Sequence, residues 1–122
     1  MKPIILYGHL RPIIQIKFNK DSDLVFTGSS DKFIIMWAAE TGERIGTFEH
    51  GAAISSMVIT SDSKILISGD KLGCVYFWSI LNGKLLKKIS FETDQYINSI
   101  SSMDLSYADK KILIVYSNRT EK

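Results

Sequence analysis

Leu24-Val25-Phe26-Thr27-Gly28-Ser29-Ser30-Asp31-Lys32-Phe33-Ile34-Ile35-Met36-Trp37 is followed, 41 residues on, by Ile65-Leu66-Ile67-Ser68-Gly69-Asp70-Lys71-Leu72-Gly73-Cys74-Val75-Tyr76-Phe77-Trp78. Each stretch is a pair of apolar runs joined by a short turn of Gly, Ser, Asp and Lys, and each closes on tryptophan. The same offset holds outward from there: His9 falls on His50, Ile13 on Ile54, Ile16 on Met57, Phe18 on Ile59 and Gly42 on Gly83. A fixed period near 40 residues marks a repeat architecture. A third copy begins with Ile100, Met103 and Leu105 in the places of Ile54, Met57 and Ile59, and reads on, after one inserted residue, with Ile112 and Ile114 in the places of Ile65 and Ile67.

Within a unit the pattern predicts four strands: Ile13–Phe18, Leu24–Gly28, Phe33–Ala38 and Arg44–Phe48 in the first, Ile54–Ile59, Ile65–Gly69, Cys74–Ser79 and Leu85–Phe91 in the second. The segments between them are rich in Asn, Asp, Ser and Gly, which bond to their own backbone or tolerate positive φ and so make turns. Usage agrees, with 18 Ile, 4 Val and 6 Thr against 5 Ala, because β-branched side chains suit a pleated, half-buried surface. Four antiparallel strands in about 40 residues is one blade of a β-propeller. The predicted fold is all-β: residues 3–7 the outer strand of a closing blade, 8–49 blade one, 50–91 blade two and 92–122 a partial blade three. Two and a half blades do not close a ring, which takes at least four. The 122 residues are therefore expected to be a fragment of a longer protein, prone to self-association through its open flank when isolated.

Composition narrows the function classes. The longest apolar run, Phe33 to Ala39, is far short of the roughly 18 residues a membrane-spanning helix needs. The single cysteine, Cys74, cannot pair within the chain and suits a reducing compartment, and the expected location is cytoplasmic. Net charge is +2, without the clustered Lys and Arg that phosphate backbones demand. The tract Lys84-Leu85-Leu86-Lys87-Lys88 reads as a solvated strand face whose lysines guard a sheet edge. No nucleophile has an adjacent base, and Gly69-Asp70-Lys71-Leu72-Gly73 precedes a strand rather than the helix N-terminus a phosphate loop requires. Cys74, next to Val75 and near Phe77, reads as a small buried hydrophobe. No catalytic residue, metal or cofactor is expected.

Gly8-His9, Thr27-Gly28-Ser29-Ser30-Asp31 and Trp37 resemble a WD repeat. The resemblance implies a hydrogen-bonded tetrad of His9, Thr27, Asp31 and Trp37 in blade one. In blade two it implies His50, Ser68 and Trp78, with Leu72 where the aspartate belongs, so that network is expected to be truncated. Neither tryptophan is followed by aspartate; Ala38 and Ser79 stand there.

A longer string, Met1-Lys2-Pro3-Ile4, Gly8-His9, Arg11, Gln15-Ile16-Lys17, Asp23-Leu24, Phe26-Thr27, Asp31, Trp37 and Gly42-Glu43-Arg44-Ile45-Gly46-Thr47, resembles the opening of the subunit-i family of eukaryotic translation initiation factor three. That resemblance implies a non-catalytic scaffold bound to the factor's b and g subunits and, through them, to the small ribosomal subunit. The competing reading is an adaptor of the serine/threonine kinase receptor-associated type, in signalling or RNP assembly. Arg11, Ser30, Lys32, Lys71 and Leu72, around the tetrad turns, are the expected partner contacts. An enzyme or ligand-binding propeller would instead gather ionisable groups on the innermost strands, which offer mainly Gln15, Lys17, Ser55, Ser56, Ser101 and Ser102.

Overall fold

A computed structural model describes residues 8–90, 99–106 and 111–117. The first four strands, β1 (Ile13–Phe18), β2 (Leu24–Ser29), β3 (Phe33–Ala38) and β4 (Arg44–Glu49), form one antiparallel meander in that order. The next four, β5 (Ile54–Ile59), β6 (Ile65–Asp70), β7 (Cys74–Ser79) and β8 (Leu85–Ser90), form a second of the same plan. β9 (Ser99–Leu105) and β10 (Ile112–Ser117) make a hairpin. Three strands run one residue past the predicted end, to Ser29, Glu49 and Asp70. The expected outer strand at 3–7 and the expected strand end at Phe91 fall outside the described residues.

The period seen in sequence is a period in backbone shape. Ser22 and Ser63, Lys32 and Gly73, and Gly42 and Gly83 all have positive φ, between 60° and 84°, and each pair is 41 residues apart. The ladder slips at matching places too: between Ile13 and Gln15 as between Ile54 and Ser56, and at Trp37 as at Trp78. An extra residue at a bulge increases local twist, and repeating it gives both sheets one curvature.

The hairpin corrects the expected insertion. Leu105 pairs with Ile112 and Met103 with Ile114, as Ile59 pairs with Leu66 and Met57 with Ser68. The turn agrees: the Ser106 N–H donates to the Lys111 carbonyl as the Thr60 N–H does to that of Ile65. Ile112 thus occupies the place of Leu66 and Ile114 that of Ser68, with no residue inserted. Apolar residues on both faces of these strands hide a one-residue slip from the hydrophobic pattern; the turn's hydrogen bond does not.

The core lies between the sheets. Phe26, Ile34, Met36 and Phe48 of the first meet Ile54, Met57, Leu66, Tyr76, Trp78 and Ile80 of the second. On the far side of the second sheet, Val58, Ile67 and Val75 meet Ile100 and Met103. Consecutive residues Leu66 and Ile67 serve opposite faces, so the central strands read as unbroken apolar runs. Two junctions share one device: a Cβ on Gly28 would lie 2.8 Å from Ile54 Cγ2, and one on Gly69 would lie 2.8 Å from Ile100 Cγ2. Each glycine is a notch that admits an isoleucine from the next unit's first strand. Ile13, at the corresponding place in β1, is 45% exposed and Ile54 fully buried, because β5 has β1 on one side and β9 on the other.

Candidate functional site

The two histidines enter their sheets just ahead of the first strand, at the end where the β2–β3 and β6–β7 turns lie. In the first sheet Trp37 Nε1–H donates to Thr27 Oγ1 at 2.9 Å, and Thr27 Oγ1 lies 2.7 Å from His9 Nε2. His9 Nδ1 lies 2.9 Å from Asp31 Oδ2. A carboxylate only accepts, so Nδ1 carries the proton and Nε2 accepts from the threonine hydroxyl. The result is one directed chain, tryptophan to threonine to histidine to aspartate. Asp31 also receives the Leu10 and Phe33 N–H groups. Burial works to raise its pKa, but the bonds from His9, Phe33 and Leu10 outweigh it and hold the carboxyl below the usual carboxylate range.

The second sheet builds the same chain from a different residue. Trp78 Nε1–H donates to Ser68 Oγ at 2.9 Å, Ser68 Oγ reaches His50 Nε2, and His50 Nδ1 meets Asp70 Oδ2 at 3.2 Å. The truncation expected from Leu72 does not occur. Asp70 stands at the position of Ser29, and its one carboxylate takes over the work of two residues. Ser29 Oγ accepts the Asp31 N–H and Asp31 Oδ1 the Phe33 N–H; Asp70 Oδ1 accepts both corresponding groups, the Leu72 and Cys74 N–H, at 3.0 Å. Its other oxygen is left for histidine. Asp70 is 1% exposed. Burial pushes the His50 imidazole below its ordinary pKa, against the opposing pull of Asp70, so His50 is neutral and donates one proton.

Both histidines are therefore committed on both nitrogens. The residues expected on partners' side of the structure ring the same end: Arg11, Lys32, Lys71 and Leu72 are exposed and Ser30 is partly so. They are not brought together into one cluster; each sheet contributes its own turn. The Lys32 carbonyl accepts the His50 N–H at 2.9 Å, which ties the first turn to the entry of the second sheet. Asn19, buried to 4% exposure, makes a tie at the opposite end by donating to Ser63 Oγ and Asp23 Oδ1. Sequence reading placed Asn19 only in a turn; an asparagine opening a turn between two apolar runs was the signal available.

The innermost strands gather little chemistry. Ser55 and Ser56 are buried, Gln15 is half-buried and Lys17 exposed, and among the described residues no three His, Cys, Asp or Glu side chains converge as metal ligands would. Cys74 is half-buried rather than buried, with Sγ 3.7 Å from Ser90 Oγ; it opens β7 beside the exposed outer strand. The lysine tract lies on β8, exposed along nearly its whole length, as expected.

Residues 9–80 match the family model described as the TEP-1 C-terminal beta-propeller. The chain belongs to the WD-repeat β-propeller family. It is 38% identical over 120 residues to eukaryotic translation initiation factor 3 subunit I of Schizosaccharomyces pombe, covering 98% of this chain and 35% of that one. The subunit I of Neurospora crassa is also 38% identical over 120 residues, with 33% of its length covered. This WD-repeat chain thus spans about a third of the length of these relatives. Among solved structures, that of the RRP9 WD40 repeats superposes with a TM-score of 0.67 at 22% identity, covering 77% of this chain and 34% of that one. The structure of U3-55K gives 0.68 with the same identity and coverage.

Proposed function

We propose that this chain is part of a non-catalytic scaffold subunit of eukaryotic translation initiation factor 3, holding partner subunits, of the b and g type, in the preinitiation complex on the small ribosomal subunit in the cytoplasm. The observation that supports this most is the 38% identity to subunit I relatives across 98% of the chain. The site agrees in kind: its histidines, hydroxyls and carboxylates are spent on one another, which leaves rigid turns rather than reactive groups at that end. Rigid loops on a propeller suit partner binding, and Arg11, Ser30, Lys32, Lys71 and Leu72 are the contacts proposed there.

The test is affinity purification of the tagged protein from its own cells, followed by sedimentation. Co-purification with the other initiation-factor subunits, and co-migration with small ribosomal subunits that is lost in high salt, is the expected result. Sedimentation apart from every initiation complex sinks the proposal, and recovery with signalling or RNP-assembly proteins instead favours the receptor-associated adaptor reading.

A further inference from the structure

The two sheets differ in one respect that bears on partners. Tyr76 of β7 is 7% exposed; its ring packs 3.8 Å from His50 and lies nearly parallel to Trp78 at 5.5 Å. Lys88 Nζ sits 5.3 Å from the ring centre. The phenol hydroxyl reaches to within 3.7 Å of where a Cβ on Gly51 would be. The ring thus fills the space between β7, β8 and the segment that leads into β5. In the first sheet Ile35 stands at the place of Tyr76 and Leu10 at that of Gly51. Isoleucine is too short to fill the same space. A cavity of about 220 Å³ remains, lined by Gly8, Leu10, Asp31, Phe33, Ile35 and Arg44.

We propose that this cavity is an anchor site for a tyrosine side chain from a partner protein. Its size suits one ring: a cavity of about 150 Å³ holds benzene, whereas sites for whole small molecules run from about 300 Å³ upward. Its walls suit an aromatic. Ile35 and Phe33 are apolar, and the Arg44 guanidinium, held by Nε and Nη2 bonds to Thr47 Oγ1 at 3.3 and 2.9 Å, offers a planar cation as Lys88 does to Tyr76. Its one acceptor suits a phenol. Asp31 Oδ2 already takes two bonds and Oδ1 only one, from the Phe33 N–H, and a carboxylate has room for about four. A buried aromatic in a pocket is the usual centre of a protein interface. The site follows from comparing the two sheets, whichever complex the chain joins.

The test is titration of the full chain with p-cresol, the tyrosine side chain as a small molecule, followed by methyl NMR. Saturable shifts are expected at the Ile35 and Leu10 methyls, none at Leu81, which is 93% exposed, and weaker binding for toluene, which lacks the hydroxyl. Ile35→Tyr places the chain's own ring in the space, as in the second sheet, and is expected to abolish binding. Arg44→Ala, at an exposed strand position, is expected to weaken it about fivefold and serves should the first variant not fold. Shifts that never saturate, binding retained by Ile35→Tyr, or p-cresol affinity unchanged in Arg44→Ala would each overturn the proposal.

Discussion

Replacing Asp70 probes the second sheet's hydrogen-bonded chain most directly. Asp70→Ala removes the acceptor of three N–H groups, and they are not equivalent. The His50 side chain is fully buried, so its Nδ1–H is left without a partner, at a cost of about 1–3 kcal/mol. Cys74 is half-buried and loses part of that, while Leu72, 51% exposed, turns its N–H to water. The expected loss is about 3–4 kcal/mol, a large share of the roughly 5–15 that holds a typical domain together. Leu72→Asp alone is expected to gain nothing, because His50 Nδ1 already has its acceptor and a second carboxylate would crowd the first. The decisive variant is the double change Asp70→Ser with Leu72→Asp, which installs the Ser29 and Asp31 arrangement of the first sheet. It is expected to lie within about 1 kcal/mol of the parent, with a favourable coupling of about 2 kcal/mol between the two changes. Denaturant unfolding followed by fluorescence of Trp37 and Trp78 measures all four corners of the cycle. Stabilisation by Leu72→Asp alone of more than about 1 kcal/mol, or a loss under about 1 kcal/mol for Asp70→Ala, would refute the reasoning.

Because burial lowers the folded-state pKa of His50, the unfolded chain takes up that proton at higher pH; stability is expected to be full above the unfolded value of about 6.5 and to fall as pH drops below it. Denaturation midpoints at pH 7.5 and 5.5 read this slope, which His50→Gln removes. Gly28→Ala puts a Cβ 2.8 Å from Ile54 Cγ2, and Ile54 is fully buried; a loss of about 1–3 kcal/mol is expected, partly recovered by adding Ile54→Val in the same unfolding assay. Lys32 has φ 77° where Gly73 has φ 84°; Lys32→Gly is expected to stabilise by a few tenths of a kcal/mol, and Gly73→Ala to destabilise by about 1, read as shifts of the thermal midpoint.

The strands and their period were legible because hydrophobic spacing and turn residues report local structure, and a 41-residue offset repeats both. The first sheet's chain was legible because His9, Thr27, Asp31 and Trp37 each stand where the WD pattern has them. Asp70 was not, since its role depends on reach rather than alignment: a carboxylate two positions early arrives at the same imidazole, and only coordinates show it. The register of β9 and β10 needed the turn's hydrogen bond, for Ile112 and Ile114 fit either frame as apolar residues. The space beside Ile35 is a difference in volume between two units, visible only once Tyr76 is seen to fill its counterpart.

The glycine notches set an order in time. Gly28 waits for Ile54 and Gly69 for Ile100, so each sheet's last gap is closed by a residue that leaves the ribosome after the sheet itself. No unit can finish packing on its own. Each becomes the template on which its successor docks, and growth runs from the N-terminal side like a zip, one tooth per period. A destabilising change in an early notch is then felt first as delay, in every unit that must be added behind it.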